Sequence, residues 1–207
     1  MLKWICFVGL VVLSFTCQAQ NFTWNLADLA WTFRNSKNNT TYRATIPGTV
    51  HTDLVKNGLI ADPFYGSNEK EVQWVENETW VYETTINLQE KQTNQESLSI
   101  IFEGLDTYAK VYLNNQLILE ADNMFRRWEI PVKSILKLGN NQLKIVFEPA
   151  VAKAKALANT LPYTLPGDER VFVRKAPYQF GWDWGPMLPP IGIWKDIRLE
   201  GRSTARI

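Results

Sequence analysis

The chain is 207 residues long, which suits one domain with a short appendage. Its 22 basic and 21 acidic residues nearly cancel. That balance supplies no positive field for nucleic acid or an anionic membrane surface, so neither is expected as a partner.

Met1-Leu2-Lys3 is a short basic start, residues 4–15 are an apolar run, and Cys17-Gln18-Ala19 offers a small-residue cleavage site. Residues 1–20 therefore read as a secretory signal peptide. The run falls short of the roughly 20 apolar residues that span a bilayer, so a membrane anchor is the secondary reading. Lipidation at Cys17 also ranks lower, because Ser14 and Thr16 fit poorly before a lipidated cysteine. The expected destination is outside the cytoplasm: a periplasm, a lysosome or the medium. Both cysteines, Cys6 and Cys17, lie in the leader. Residues 21–207 would thus fold without a disulfide, on the strength of an aromatic-rich core.

Short β-type runs dominate from Trp31 onward. A helix is expected over 50–57, with Thr49 as N-cap and Gly58 past its end, and a second short one over 68–74. Residues 79–86 are β-branched and aromatic. Residues 97–103 alternate, with Leu98, Ile100 and Phe102 on one face. The run 108–113, the Asn114-Asn115 turn and the run 116–120 form a hairpin signal. Phe125, Trp128 and Ile130 read as packing residues. The run 142–148 alternates again, Pro149 precedes a helix over 151–158, and 192–199 is the last expected strand. Strands this short and this regularly spaced predict an all-β sandwich with a few short helices. Between the last helix and the last strand lies a long proline-rich loop, a kind that is more often functional than idle.

The chain lacks the parts of several common chemistries. His51 is its only histidine and has no evident nucleophile nearby, so it reads as a packed or capping residue. No ligand spacing points to a metal, no glycine-rich loop points to a phosphate, and no cofactor is expected. Asp168, Glu169 and Asp183 share the proline-rich loop. Sequence cannot pair them as the two carboxyl groups of a glycosidase, so no catalytic residue is assigned.

The segment 180–186, Phe-Gly-Trp-Asp-Trp-Gly-Pro, is more informative. Trp182 and Trp184 flank the carboxylate of Asp183. Indole faces stack on the C–H faces of a sugar ring, and a carboxylate accepts from hydroxyls. The alternative is that both indoles alternate into a core while Asp183 caps a turn. Arg174 and Lys175, just upstream, would bond sugar hydroxyls, neutralise Asp183, or form a surface ion pair.

These residues resemble a known family. Residues 46–54 (Ile-Pro-Gly-Thr-Val-His-Thr-Asp-Leu) and 62–66 (Asp-Pro-Phe-Tyr-Gly), with Trp74-Val75-Glu76 and Trp80, resemble the start of the N-terminal domain of β-mannosidases of glycoside hydrolase family 2. Residues 102–107 and 111–114 resemble the wider family's core. Residues 180–186 with Gly192-Ile193-Trp194 are the most specific match and favour the β-mannosidase branch. The resemblance implies a jelly-roll, galactose-binding-domain-like β-sandwich over 21–207. It also implies in-cis partners, immunoglobulin-like domains and a (β/α)8 barrel that carries the two catalytic glutamates. This chain stops before either. The resemblance makes Trp182, Asp183 and Trp184, with Arg174 and Lys175, substrate-binding residues for β-mannoside oligosaccharides. Two other readings stand beside it: a stand-alone carbohydrate-binding module, and an interaction domain whose tryptophan loop only packs on a neighbour.

Overall fold

Alternation of apolar and polar residues places one face of each strand in a common core. In this computed structural model, residues 21–203 are described; the predicted leader and both cysteines lie outside the described residues. In chain order the elements are β1 (Phe22–Asn25), β2 (Thr32–Asn35), β3 (Tyr42–Arg43), α1 (Val50–Lys56), β4 (Trp80–Leu88), α2 (Glu90–Thr93), β5 (Ser97–Phe102), β6 (Tyr108–Leu113), β7 (Gln116–Ala121), β8 (Trp128–Pro131), β9 (Gly139–Glu148), α3 (Ala150–Ala158), β10 (Phe180–Trp182), β11 (Gly185–Met187) and β12 (Ile197–Arg202).

The strands form two larger antiparallel sheets, ordered β1-β12-β5-β8 and β3-β2-β4-β9-β6-β7, and a separate β10-β11 hairpin. One apolar cluster draws on both larger sheets. Leu98, Ile100 and Phe102 come from β5 and Ile197 and Leu199 from β12, while Leu143, Ile145 and Phe147 come from β9 and Val111 and Leu113 from β6. Each such side chain contributes about 1.5–3 kcal/mol by leaving water. Phe33, Tyr82 and Phe147 form an aromatic chain through this core, with successive ring centroids 5.7 Å apart. The expected β-sandwich with few short helices is the observed fold.

The local signals behave as their chemistry requires. Thr49 accepts from the Thr52 backbone in a capping box, and Gly58 beyond α1 takes a left-handed conformation. Asn114 and Asn115 both have positive φ, as a two-residue hairpin turn between right-twisted strands demands. The segment expected as a helix over 68–74 is a 3-10 turn, Asn68–Val72.

The last strand begins five residues later than its composition suggests. Gly192 (φ 153°) pairs only with Asp106, in an isolated bridge. The carbonyls of Ile191 and Ile193 accept from Val50 and Gly48, outside any sheet. A side chain at Gly192 would meet the Gly48 carbonyl oxygen at 2.7 Å, so this crossing of two backbones needs glycine. The crossing closes the base of the long loop between α3 and β12.

Candidate functional site

The loop is not irregular throughout. A 3-10 turn over Pro177–Gln179 leads into β10, and β10 pairs with β11 through Phe180–Met187 and Trp182–Gly185. Asp183 and Trp184 form the two-residue connection, which puts the most informative segment of the sequence at the tip of a hairpin. The Gln73 side chain supports the hairpin from below by donating to the Met187 carbonyl at 2.7 Å.

The alternation into a core does not occur. Trp184 is 87% exposed and Trp182 55% exposed. Both indoles line an open groove of about 680 Å³. Tyr178, Pro177, Pro186 and Phe64 supply half of the remaining lining residues, and Phe64, from the turn after α1, is itself 76% exposed. Asp183 is exposed on the rim between the two indoles, and its carboxylate has no protein partner among the described residues. An apolar wall with a free acceptor at its lip is the composition of a ligand site, and so large an aromatic surface is unusual unless something covers it.

Arg174 and Lys175 part company. Arg174 is exposed, its backbone bridged to Asn123, and it does not line the groove. Lys175 is enclosed. Its ammonium donates to both carboxylate oxygens of Asp106 at 2.7 Å and to the Pro190 carbonyl at 2.6 Å. Three donors and three acceptors leave nothing to offer a sugar, so Lys175 does not face the groove as the sequence suggested. In an extended segment neighbouring side chains point to opposite sides, and only one of an adjacent pair can reach a given surface.

Burial pushes the Asp106 carboxyl up and the Lys175 ammonium down, and each offsets the other's shift. His51 lies close enough to feel that ammonium. Burial first and Lys175 second push it down to about 4, and its Nδ1 is buried without a partner. It is a packed residue of α1, as expected.

Asp168 and Glu169 lie on a 3-10 turn, Asp168–Phe172, and line depressions away from the aromatic groove. Among the described residues no Asp or Glu lines the groove. Among the described residues no group of three or more His, Cys, Asp or Glu could hold a metal ion, and no helix is long and apolar enough to cross a membrane. Sequence reading missed Phe64, Tyr178 and Asp106. The first two lie outside the Trp-Asp-Trp segment with no spacing that links them to it, and Asp106 gains its role only through contacts far along the chain.

A sandwich with an aromatic groove at one edge has many possible owners. Residues 31–195 match the family model described as glycosyl hydrolase 2 galactose-binding domain-like. The chain belongs to this family. Among curated glycoside hydrolase relatives, it is 39% identical over 195 residues to beta-mannosidase B of Emericella nidulans. The match covers 88% of this chain and 23% of that protein. It is 34% identical over 202 residues to the beta-mannosidase of Rattus norvegicus, covering 92% of this chain and 23% of that one. Among solved structures, the β-D-mannosidase from Dictyoglomus thermophilum superposes with a TM-score of 0.83 at 42% identity, over 88% of this chain and 22% of that one. The chain thus spans under a quarter of the length of these relatives and resembles their N-terminal domain.

Proposed function

We propose that this chain is the non-catalytic N-terminal domain of an exo-acting, retaining β-mannosidase, and that it helps shape the subsite for a terminal β-mannose. The observation that carries this reading is the Trp182–Asp183–Trp184 tip. Two exposed indoles offer stacking surfaces, and a free carboxylate stands between them. Trp182 supplies a wall against a C–H face of the sugar, Asp183 accepts from its hydroxyls, and Trp184 contributes stacking or covers the site. Arg174 is exposed upstream and is assigned a weaker, outer role. The catalytic carboxyl groups belong to a barrel elsewhere in the longer enzyme, and that barrel covers the groove and completes the pocket. The β-mannosidase relatives, of which this chain spans under a quarter, support its belonging to a longer enzyme. Export directed by residues 1–20 belongs to the same reading.

The test is Asp183→Ala in the natural gene product. With an aryl β-mannoside, kcat/KM falls by about tenfold to a hundredfold, the worth of a hydrogen bond to a charged group. Unchanged kcat/KM would refute a sugar-contacting tip and leave a packing loop. Turnover by residues 21–207 alone, pure and folded, would refute the non-catalytic assignment.

One observation favours a second reading, a carbohydrate-binding module. The groove already presents four aromatic side chains without help from another domain. Saturable mannoside binding by this domain alone, lost in Trp182→Ala, would support it.

A further inference from the structure

Beside the Gly48–Gly192 crossing, Asp106 ties together both ends of the segment that carries the hairpin. Its carboxylate receives the ammonium of Lys175, just before the 3-10 turn that leads into the hairpin. Its backbone exchanges two hydrogen bonds with Gly192, at the end of the loop: the Asp106 amide donates to the Gly192 carbonyl at 2.9 Å, and the Gly192 amide donates to the Asp106 carbonyl at 3.0 Å. Lys175 also spans the loop itself, since its third donor reaches the Pro190 carbonyl. Both side chains are enclosed, with 0% and 1% of their surfaces exposed.

A buried ion pair is weak evidence of net stabilisation, because removing both charges from water costs about as much as their attraction returns. Its better-attested use is to fix one arrangement among several. Few strand pairings hold the residues between. β10 and β11 pair only with each other, and the hairpin belongs to neither large sheet. Gln179 links the base to the groove. It lines the groove, and its side-chain amide lies beside Asp106 and favours the carboxylate.

We infer that Asp106 and Lys175 form a clasp that sets the position of the Trp182–Asp183–Trp184 tip, which makes both of them positioning residues. Its bearing on turnover rests on the mannose-subsite reading above; its bearing on the loop does not. The clasp acts by removing alternative loop positions, so breaking it releases residues 176–191 while the sheets keep their protection.

The experiment compares the natural gene product with Lys175→Met and with the pair Asp106→Asn/Lys175→Met. The pair removes both charges of the clasp together, so neither is left buried without the other, and it keeps the test alive if the single variant does not fold. Amide exchange is followed by mass spectrometry, and kcat/KM is followed with an aryl β-mannoside. Expected are exchange at least about tenfold faster across 176–191, unchanged protection of β4 and β9, and kcat/KM reduced about tenfold. Loop exchange at the wild-type rate in either folded variant overturns the clasp. If neither variant folds, exchange in the wild type decides. Gly192 and Asp106 amides protected as strongly as β9 support the clasp, and exchange there as fast as at the hairpin tip overturns it. Loop release together with full activity in Asp183→Ala would remove the sugar reading and leave the clasp in place. Wild-type loop exchange together with an inactive Asp183→Ala would do the reverse.

Discussion

Gln73 and Met187 are 114 positions apart in sequence, yet the Gln73 amide donates to the Met187 carbonyl at 2.7 Å while also donating to Glu69. One side chain thereby ties the 3-10 turn before β4 to the second strand of the hairpin. A net hydrogen bond of this kind contributes about 1 kcal/mol. Gln73→Ala is expected to lower the melting temperature by no more than about 2–4 °C and to lower kcat/KM of the natural gene product about threefold to tenfold. Thermal melts and steady-state kinetics with an aryl β-mannoside check both halves. A drop in melting temperature without a kinetic effect would place the bond in stability instead.

Trp184 tests the exposed tip more directly. Its indole is 87% exposed, so Trp184→Ala removes little that the fold depends on, and its effect on stability should stay within about 0.5 kcal/mol. If it stacks on sugar, affinity for a mannose-like inhibitor falls about tenfold. Calorimetric titration of the natural gene product with that inhibitor reads the change.

Tyr82 lies in the middle of the core, and its hydroxyl donates to Asp53 at 3.0 Å. The same carboxylate accepts from the Thr45 amide at 2.9 Å. Burial already pushes Asp53 up to about 6, with these bonds opposing the shift. Tyr82→Phe removes one of them and leaves the carboxylate poorly satisfied. The expected loss is about 1–3 kcal/mol in urea unfolding, with the groove unaltered.

His51 and Asp53 are two residues apart on α1 and respond to acid in opposite directions. His51 titrates at about 4 when folded against an ordinary 6.5. The unfolded chain takes up that proton first, so stability falls as pH drops from 6.5 to 4. Asp53 titrates at about 6 when folded against 3.8. Here the folded chain takes up the proton first, so stability rises as pH drops from 6 to 3.8. Each slope is about 1.4 kcal/mol per pH unit, and between pH 6 and 4 they cancel. His51→Gln removes one of the two. Relative to wild type, its unfolding free energy should then gain about 1.4 kcal/mol per unit of acidification in that window. Urea titrations at several pH values measure the difference. A constant difference would show that His51 titrates normally.

Much of the fold was legible because its signals are local. Leu98, Ile100 and Phe102 alternate in the sequence and are buried together. Asn114-Asn115 announces a turn by tolerating positive φ, and that turn is present. The segment around Asp183 allowed either exposed or core-packed indoles, and only the structure shows Trp182 and Trp184 exposed. The β10–β11 pairing was not legible, because glycine and proline in 181–186 mask a strand signal. Lys175 was misplaced because its partner, Asp106, is 69 residues away in sequence and no short-range pattern connects them. Phe64 joins the groove only through the path of the chain around α1.

The outer strands of the two sheets have a consequence for assembly. β3 is two residues long, β8 ends on Pro131, which has no amide hydrogen to offer, and β7 is bulged at Ile118, where its register with β6 shifts between Val111 and Tyr112. Short, proline-bearing or bulged borders recruit strands from other polypeptides poorly. At these three borders a neighbour would find side chains and loop tips more readily than a free strand edge.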